Sequence, residues 1–492
     1  MQNMKKLSLV VLIGSLSACG GSGDGMTGLS SSGGAGPVLL QQATTGTPDA
    51  GTTPPAATPA SPGVSATDES GAFLAAAYQD GLAEIQLSEL AVQRATNEDV
   101  RKFAERMIEH HTAINGEISQ LAQRKNVALP TTPPADLQTQ LTSLSGLQGD
   151  AFDRAYIQQN VAVHDKDAVA ARRQARQGTD QDVMRLARNA LPIMKVHLAA
   201  AEEIATLLDP AAFLAVAYRD GLAEVQLSQL ALQSAASAEV REFAQEMIDE
   251  HTQMNAAISA LAQQEGTALP TAPSAEQQAM ASELAGFSGP DFDEAYMDAN
   301  VIAHAKNVRL FRKQGERGLD PEVKAFAEDN ERDLLEHLVE ALDTDESVAP
   351  SFPFLAFQDG EAEIALSRIA LRRAASAEVK TFAQSMIDAH TATNQQLQQQ
   401  AQQANRQLPS DVAPEHLLAL AELIDRSGQE FDQAYMELNV RVHERDVEAA
   451  TAATQQTADA FSSTAAQAAL PALNDHLARA RALRDQVGNT AQ

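Results

Sequence analysis

Apolar residues recur at three- and four-residue intervals through most of this chain, and nothing alternates at period two. After residue 70, Phe73, Ala76, Ala77, Asp80, Ala83, Glu84, Leu87, Leu90 and Ala91 share one helical face. A second face runs through Val100, Phe103, Ala104, Met107, His111, Ile114, Ile118 and Leu121. Asn97 is its N-cap, and Glu98 and Asp99 occupy its first turn. A Pro-rich connection (Leu129 to Pro134) and one short helix precede a third long helix, which opens at Phe152-Asp153 and stops at Gly178. It carries Tyr156, Asn160, Val163, His164 and Asp167 on one side. A fourth carries Leu186, Ala190, Met194, His197, Ala201 and Ile204. Four amphipathic helices and no strands predict an all-α bundle.

The whole pattern occurs three times. Glu84, His111, His164 and His197 recur as Glu224, His251, His304 and His337, then as Glu363, His390, His443 and His476. Within every copy the gaps are 27, 53 and 33 residues, and the copies step by 140 and then 139. A fixed period of this kind predicts tandem units, here residues 71–209, 210–347 and 351–487. Ser237 and Ser376 stand where Asn97 caps, and Asp320-Pro321 opens the fourth helix of the second unit. Pro192 and Pro471 lie inside the fourth helix of the first and third units, where the second has Arg332; a kink one turn before the histidine is expected. The connections between units, at Asp209-Pro210 and Ala349 to Pro353, are short, so the units should touch.

Helix arithmetic brings the repeated polar groups to one depth. At 1.5 Å per residue, Glu84, His111, His164 and His197 lie ~18–27 Å from the nearest turn, near mid-helix and on the apolar stripes. The expectation is one polar layer through the middle of each bundle. Asp80, Asp220 and Asp359 sit one turn before the glutamate. Asn115, Asn255 and Asn394 follow the first histidine by a turn, and Asn160, Asn300 and Asn439 precede the second by a turn. Two readings stand open. Glu and three His are a ligand set suited to zinc, iron, manganese or copper, with the Asp and Asn residues orienting the imidazoles or Asp80 supplying a fifth ligand. Alternatively, the same groups satisfy one another in a buried hydrogen-bond network that fixes helix register. Ile108, Val161 and Met194 stand three before the histidines, which departs from the Glu-x-x-His signature of dinuclear carboxylate bundles. His110 and His416 have no histidine counterparts in the other copies and are expected to face solvent.

Composition narrows the class. The formal net charge of −30 over 492 residues argues against nucleic acid or anionic lipid surfaces as partners. The chain has no Ser-His-Asp order, phosphate loop, cysteine nucleophile or nucleotide fingerprint, so no catalytic residue is assigned. Residues 1–18 read as a signal peptide: Lys5 and Lys6, an apolar stretch from Leu7 to Leu16 too short to span a bilayer, then Leu16-Ser17-Ala18-Cys19-Gly20. That motif resembles a bacterial lipobox, in which the cysteine is acylated. Cys19 is the single cysteine of the chain, so a lipid anchor to the membrane is expected and disulfides are excluded. Gly20 after it implies the outer membrane, and the periplasmic side is the expected one. Residues 19–70, rich in Gly, Ser, Thr, Pro and Ala, read as a flexible tether.

The blocks F-L-x-x-A-x-x-D-G-x-A-E, F-A-x-x-M-I before a His, F-D-x-A-Y, and a late Leu-Pro with His-Leu resemble domain-of-unknown-function family 4142. The resemblance covers residues 72 to about 485 as three copies and implies a ferritin-like four-helix fold, an envelope location and no particular activity. The role expected from all this is a non-catalytic binding or structural module of the cell envelope. The alternative is a metal-binding protein with one Glu/His3 site per domain.

Overall fold

The computed structural model describes residues 66–455 and 459–489; Cys19, the signal segment and nearly all of the expected tether lie outside them. The chain is all-α and built from three tandem helical units. The first comprises α1 (Ala66–Arg94), α2 (Glu98–Lys125), short α3 (Ala135–Ser145), α4 (Gly149–Gln177) and α5 (Gln181–Leu208). The second comprises α6 (Pro210–Ser234), α7 (Ala238–Gln264), short α8 (Ala275–Leu284), α9 (Pro290–Arg317) and α10 (Pro321–Asp345). The third comprises α11 (Phe352–Arg373), α12 (Ala377–Gln403), short α13 (Pro414–Leu423), α14 (Gly428–Thr454) and α15 (Ala460–Asn489). No strand occurs among the described residues, and no helix there is long and apolar enough to cross a membrane.

Each unit is two helical hairpins joined by the connection that holds the short helix. The hairpin turns are set by capping. Asn97 accepts from Asp99 N and Val100 N, and Ser237 and Ser376 cap the same way. Asp153 of α4 reaches across to the α1–α2 turn and accepts from the backbone of Thr96 and Asn97. Asp293 and Asp432 repeat this on Ala236-Ser237 and Ala375-Ser376. One buried carboxylate thereby joins the two hairpins of a unit at the positive end of the second helix. Helix α1 starts at Ala66, inside the segment expected to be tether; Glu69 near its start favours helix there. The fourth helices run on through Pro192 and Pro471, so these prolines do not end them.

The units are locked together by buried charge. Asp209 ends α5 and caps α6, leaving no linker between the first two units. Arg172 on α4, 2 % exposed, donates to Glu276 at 2.5 Å and Glu283 at 2.6 Å on α8, and to Asp411 at 2.8 Å ahead of α13. Lys195 adds a second bond to Asp411 at 2.9 Å. Carboxylates of the second and third units therefore converge on cations of the first. The short connecting helices are what carry them there. Removing a buried ion-pair partner typically costs ~3–5 kcal/mol, because the groups left behind are desolvated without compensation. We therefore expect Arg172→Ala to lower stability by about that much. Its urea unfolding, followed by circular dichroism, should split into separate steps where the parent shows a more concerted one.

Candidate metal centre

The three repeated histidines of each unit meet where helix arithmetic puts them. In the first unit His111, His164 and His197 are buried, with ring centroids 5.1–5.6 Å apart. In the second His251, His304 and His337 stand 5.4 Å apart pairwise. In the third the distances are 5.2–5.9 Å. Each trio offers one nitrogen apiece within 4.8 Å of the others. Glu84 stands beside its trio, with Oε2 2.8 Å from His111 Nδ1 and Oε1 3.5 Å from His164 Nε2. Glu363 likewise meets His390 and His443. Glu224 is buried at the corresponding place without an imidazole at ion-pair distance.

Tautomers are dictated by the backbone. His164 Nδ1 donates to Asn160 O at 2.9 Å, and His304 and His443 do the same to Asn300 and Asn439. Their Nε2 atoms are thereby left as lone-pair donors facing the cluster. On the fourth helix it is Nδ1 that turns inward: His197 Nδ1 lies 3.2 Å from His164 Nε2, and His476 Nδ1 lies 3.3 Å from His443 Nε2. The network reading requires these groups to satisfy one another, and several do not. Glu224 Oε1, His111 Nε2, His251 Nδ1 and His337 Nδ1 are buried with no hydrogen bond. Close approach without hydrogen-bond geometry is how lone pairs gather round a shared cation. The donor set fits a transition-metal ion by type, burial and aim.

Electrostatics follows from burial. Glu84 is pushed up to about 7 and Glu224 to about 8, both chiefly by desolvation. At Glu363 burial is outweighed by His390 and His443, which hold the carboxyl at about 2. Burial lowers His111 to about 4, His304 to about 3 and His476 to about 4. His390 goes the other way, because Glu363 overcomes its desolvation. Burial thus biases the Glu84–His111 pair toward its neutral form, while mutual attraction biases the Glu363–His390 pair toward its ionised one.

The flanking residues depart from their expected roles. Asp80, Asp220 and Asp359 contact no cluster imidazole; they pair with Lys166 at 3.0 Å, Lys306 at 2.6 Å and Arg445 at 2.7 Å. Four residues of helix overshoot a full turn by about 40° and move ~6 Å along the axis, which turns Asp80 toward the flank of α4. Asn115 and Asn394 donate to the carbonyls of Tyr78 and Phe357, each at 3.3 Å, rather than to an imidazole. They pack where a Cβ at Gly81 or Gly360 would fall about 2.5 Å from the amide; Asn255 faces Gly221 the same way. Glycine before the glutamate thus lets the first two helices close up. Asn160, Asn300 and Asn439 act on the imidazoles through backbone carbonyls, while their side chains bond the tyrosine carbonyl one turn back.

His110 and His416 are buried, contrary to their expected exposure. His110 Nδ1 bonds His197 Nε2 at 2.8 Å, and Glu250, its counterpart in the second unit, contacts His337 Nε2. His416 bonds Asp359 at 2.7 Å, as Gln277 bonds Asp220 at 2.8 Å from the matching position on α8. Comparing single residue types across copies hides both, because the position is kept while the residue changes. Two further repeated features were legible but passed over: Ser88, Ser228 and Ser367, hydrogen-bonded to Tyr156, Tyr296 and Tyr435, and the basic residue two after the second histidine. Asp167 and Asp446 also lie near their clusters, with carboxyls raised well above the usual range by burial and by neighbouring carboxylates.

The profile of one family, Domain of unknown function (DUF4142), matches residues 53–204, 205–344 and 348–483, and the chain belongs to that family in three tandem copies. No curated protein and no solved structure matches the chain.

Burial fixes the sign of the pH dependence of the ion-free protein. Eight imidazoles (His110, His111, His164, His197, His251, His304, His443 and His476) are held below their ordinary value. Below about pH 6.5 the unfolded chain binds protons that the folded chain refuses, so their contribution is full above that pH and is lost as pH falls toward 4. Glu84, Glu224, Asp167, Asp446 and His390 are raised and act oppositely over part of this interval, while Asp359, Glu363 and Asp411 are lowered and act with the eight imidazoles. The urea midpoint of chelator-treated protein should fall between pH 7 and pH 4.5. A midpoint that rises would mean the imidazoles are charged in the fold.

Proposed function

We propose that this DUF4142-family chain is a metal-binding protein of the bacterial cell envelope, holding one transition-metal ion in each of its three bundles. The carrying observation is the convergence, three times over, of three buried imidazoles with one nitrogen each within 4.8 Å of its fellows, beside a buried glutamate. Glu84, His111, His164 and His197 would hold the first ion. Glu224, His251, His304 and His337 would hold the second, and Glu363, His390, His443 and His476 the third. Zinc, iron, manganese and copper all accept imidazole and carboxylate together, and a bound ion would supply Lewis acidity or, for the last three, a redox couple. The missing Glu-x-x-His pattern at Ile108, Val161 and Met194 favours one ion per bundle over a pair. Two hairpins joined by a long connection around a mid-bundle centre agree with a ferritin-like reading of each domain.

The envelope half of the proposal is supported by sequence alone. The lipobox-like Leu16-Ser17-Ala18-Cys19 would be acylated at Cys19, tying the domains by a soft leash to the outer membrane, on its periplasmic side. Elemental analysis of the purified chain, from its native envelope as well as from a heterologous host, tests the metal half. About one ion per domain is expected, with none retained by His111→Ala/His251→Ala/His390→Ala. Chelation should lower the melting temperature of the parent chain and leave that of the variant unchanged. Equal metal in parent and variant, or a parent melt indifferent to chelation, would overturn the metal reading in favour of a hydrogen-bonded structural layer.

A further inference from the structure

The three centres are not equally enclosed. A cavity of about 90 Å³ opens beside the third one, bounded by His390 and His476 and reaching Asp359, Arg445, Ala465 and Ala472. That is room for several waters or a few non-hydrogen atoms. Its wall owes its shape to small residues on α15. Ala465 stands where the first unit has Leu186 and the second Phe326; Ala472 stands where they have Ile193 and Asp333. Leu186 is buried against Leu74 and Ile118, and Phe326 packs on Phe311 with ring centroids 6.2 Å apart. At the position of Ala465, the larger Leu186 and Phe326 therefore occupy the room that alanine leaves in the third unit.

A second difference lies on the far side of the fourth-helix imidazole. His110 bonds His197 Nε2, and Glu250 meets His337 Nε2. The residue at that position in the third unit is Ala389, whose side chain has no polar atom to offer His476. Building on the metal reading, we propose that the third-domain centre is the ligand-accepting one. It would bind a small inorganic ligand, a diatomic gas or a linear triatomic anion, in the cavity between His390 and His476. His390, His443 and His476, with Glu363 beside the first two, would hold the ion, and a coordination position left free by them could be filled from the cavity that His390 and His476 border. An open position is what separates a reactive metal centre from a closed structural one. A cavity of this size suits a small ligand, and its lining sets Asp359, Arg445 and Asp446 beside the alanines of α15.

The test uses the full chain loaded with cobalt(II) and titrated with azide, followed in the visible d–d bands. A saturable change involving one cobalt in three is expected. His390→Ala should abolish it while two cobalt ions remain bound, and His111→Ala/His251→Ala should retain it with one. Ala465→Leu, which transplants the first unit's side chain into the wall, should weaken azide binding at least tenfold with three ions still bound. An azide response that survives His390→Ala, or three bound cobalt ions that ignore azide, would overturn this inference and leave the metal reading intact. Fewer than three ions bound by the parent would overturn the metal reading first and this one with it.

Discussion

Burying a carboxyl group and three imidazoles at the centre of a bundle is the constraint to which everything else in each unit answers. They are almost wholly withdrawn from solvent, so their charges must be neutralised or shared. The protein neutralises in part: burial drives Glu84 and Glu224 toward the protonated form and most of the histidines toward the uncharged one. Neutral imidazoles with fixed tautomers and a carboxyl that can release its proton are the state a divalent ion needs. The backbone carbonyls of Asn160, Asn300 and Asn439 set those tautomers, and an amide packed against glycine sets the spacing of the first two helices. None of these supporting groups is a ligand, yet each decides where a ligand points.

Comparison among the three copies separates what the centre requires from what it tolerates. Glutamate, three histidines, the Ser–Tyr hydrogen bond and the Asp cap on the second helix are kept throughout. The partner of the fourth-helix imidazole is not: it is histidine, glutamate or alanine. Such a neighbour sets how basic a ligating imidazole is, so the three centres would hold an ion with different strength. Likewise Gln277 and His416 reach the aspartate before the glutamate from the short helix, whereas the first unit has Leu137 at that place in sequence and its Asp80 keeps a partly exposed pair with Lys166. Triplication has produced related sites rather than copies of one.

Much of the fold was legible because its signals are local. Period-3.6 apolar stripes, Asn97, Ser237 and Ser376 as caps, and Asp320-Pro321 each act within one turn of helix, and each stands where its residue type suggests. The depth of Glu84, His111, His164 and His197 was legible for the same reason, since rise per residue is constant. Direction was harder. Whether Asp80 or Asn115 faces the cluster depends on a rotation of a few tens of degrees and on the neighbouring helix, which the spacing alone leaves open. Burial of His110 and His416 depends on contacts with Nε2 of His197 and with Asp359, residues 87 and 57 positions away. The cavity beside His390 is a property of what Ala465 lacks, and only packing shows it.

The joints between units have an effect that reaches beyond stability. Arg172, Lys195, Arg219, Lys306 and Arg406 are all committed to carboxylates of neighbouring units. Each such pair cancels internally and leaves the net charge of −30 to the rest of the chain, where acidic residues outnumber basic ones. A multiply charged cation near the chain's surface would be concentrated in its counter-ion atmosphere before meeting any imidazole, and sodium at high ionic strength would thin that atmosphere. The salt bridges that join the three bundles thus leave the excess of acid undiminished, and the folded chain keeps an anionic surface round which multivalent cations would gather.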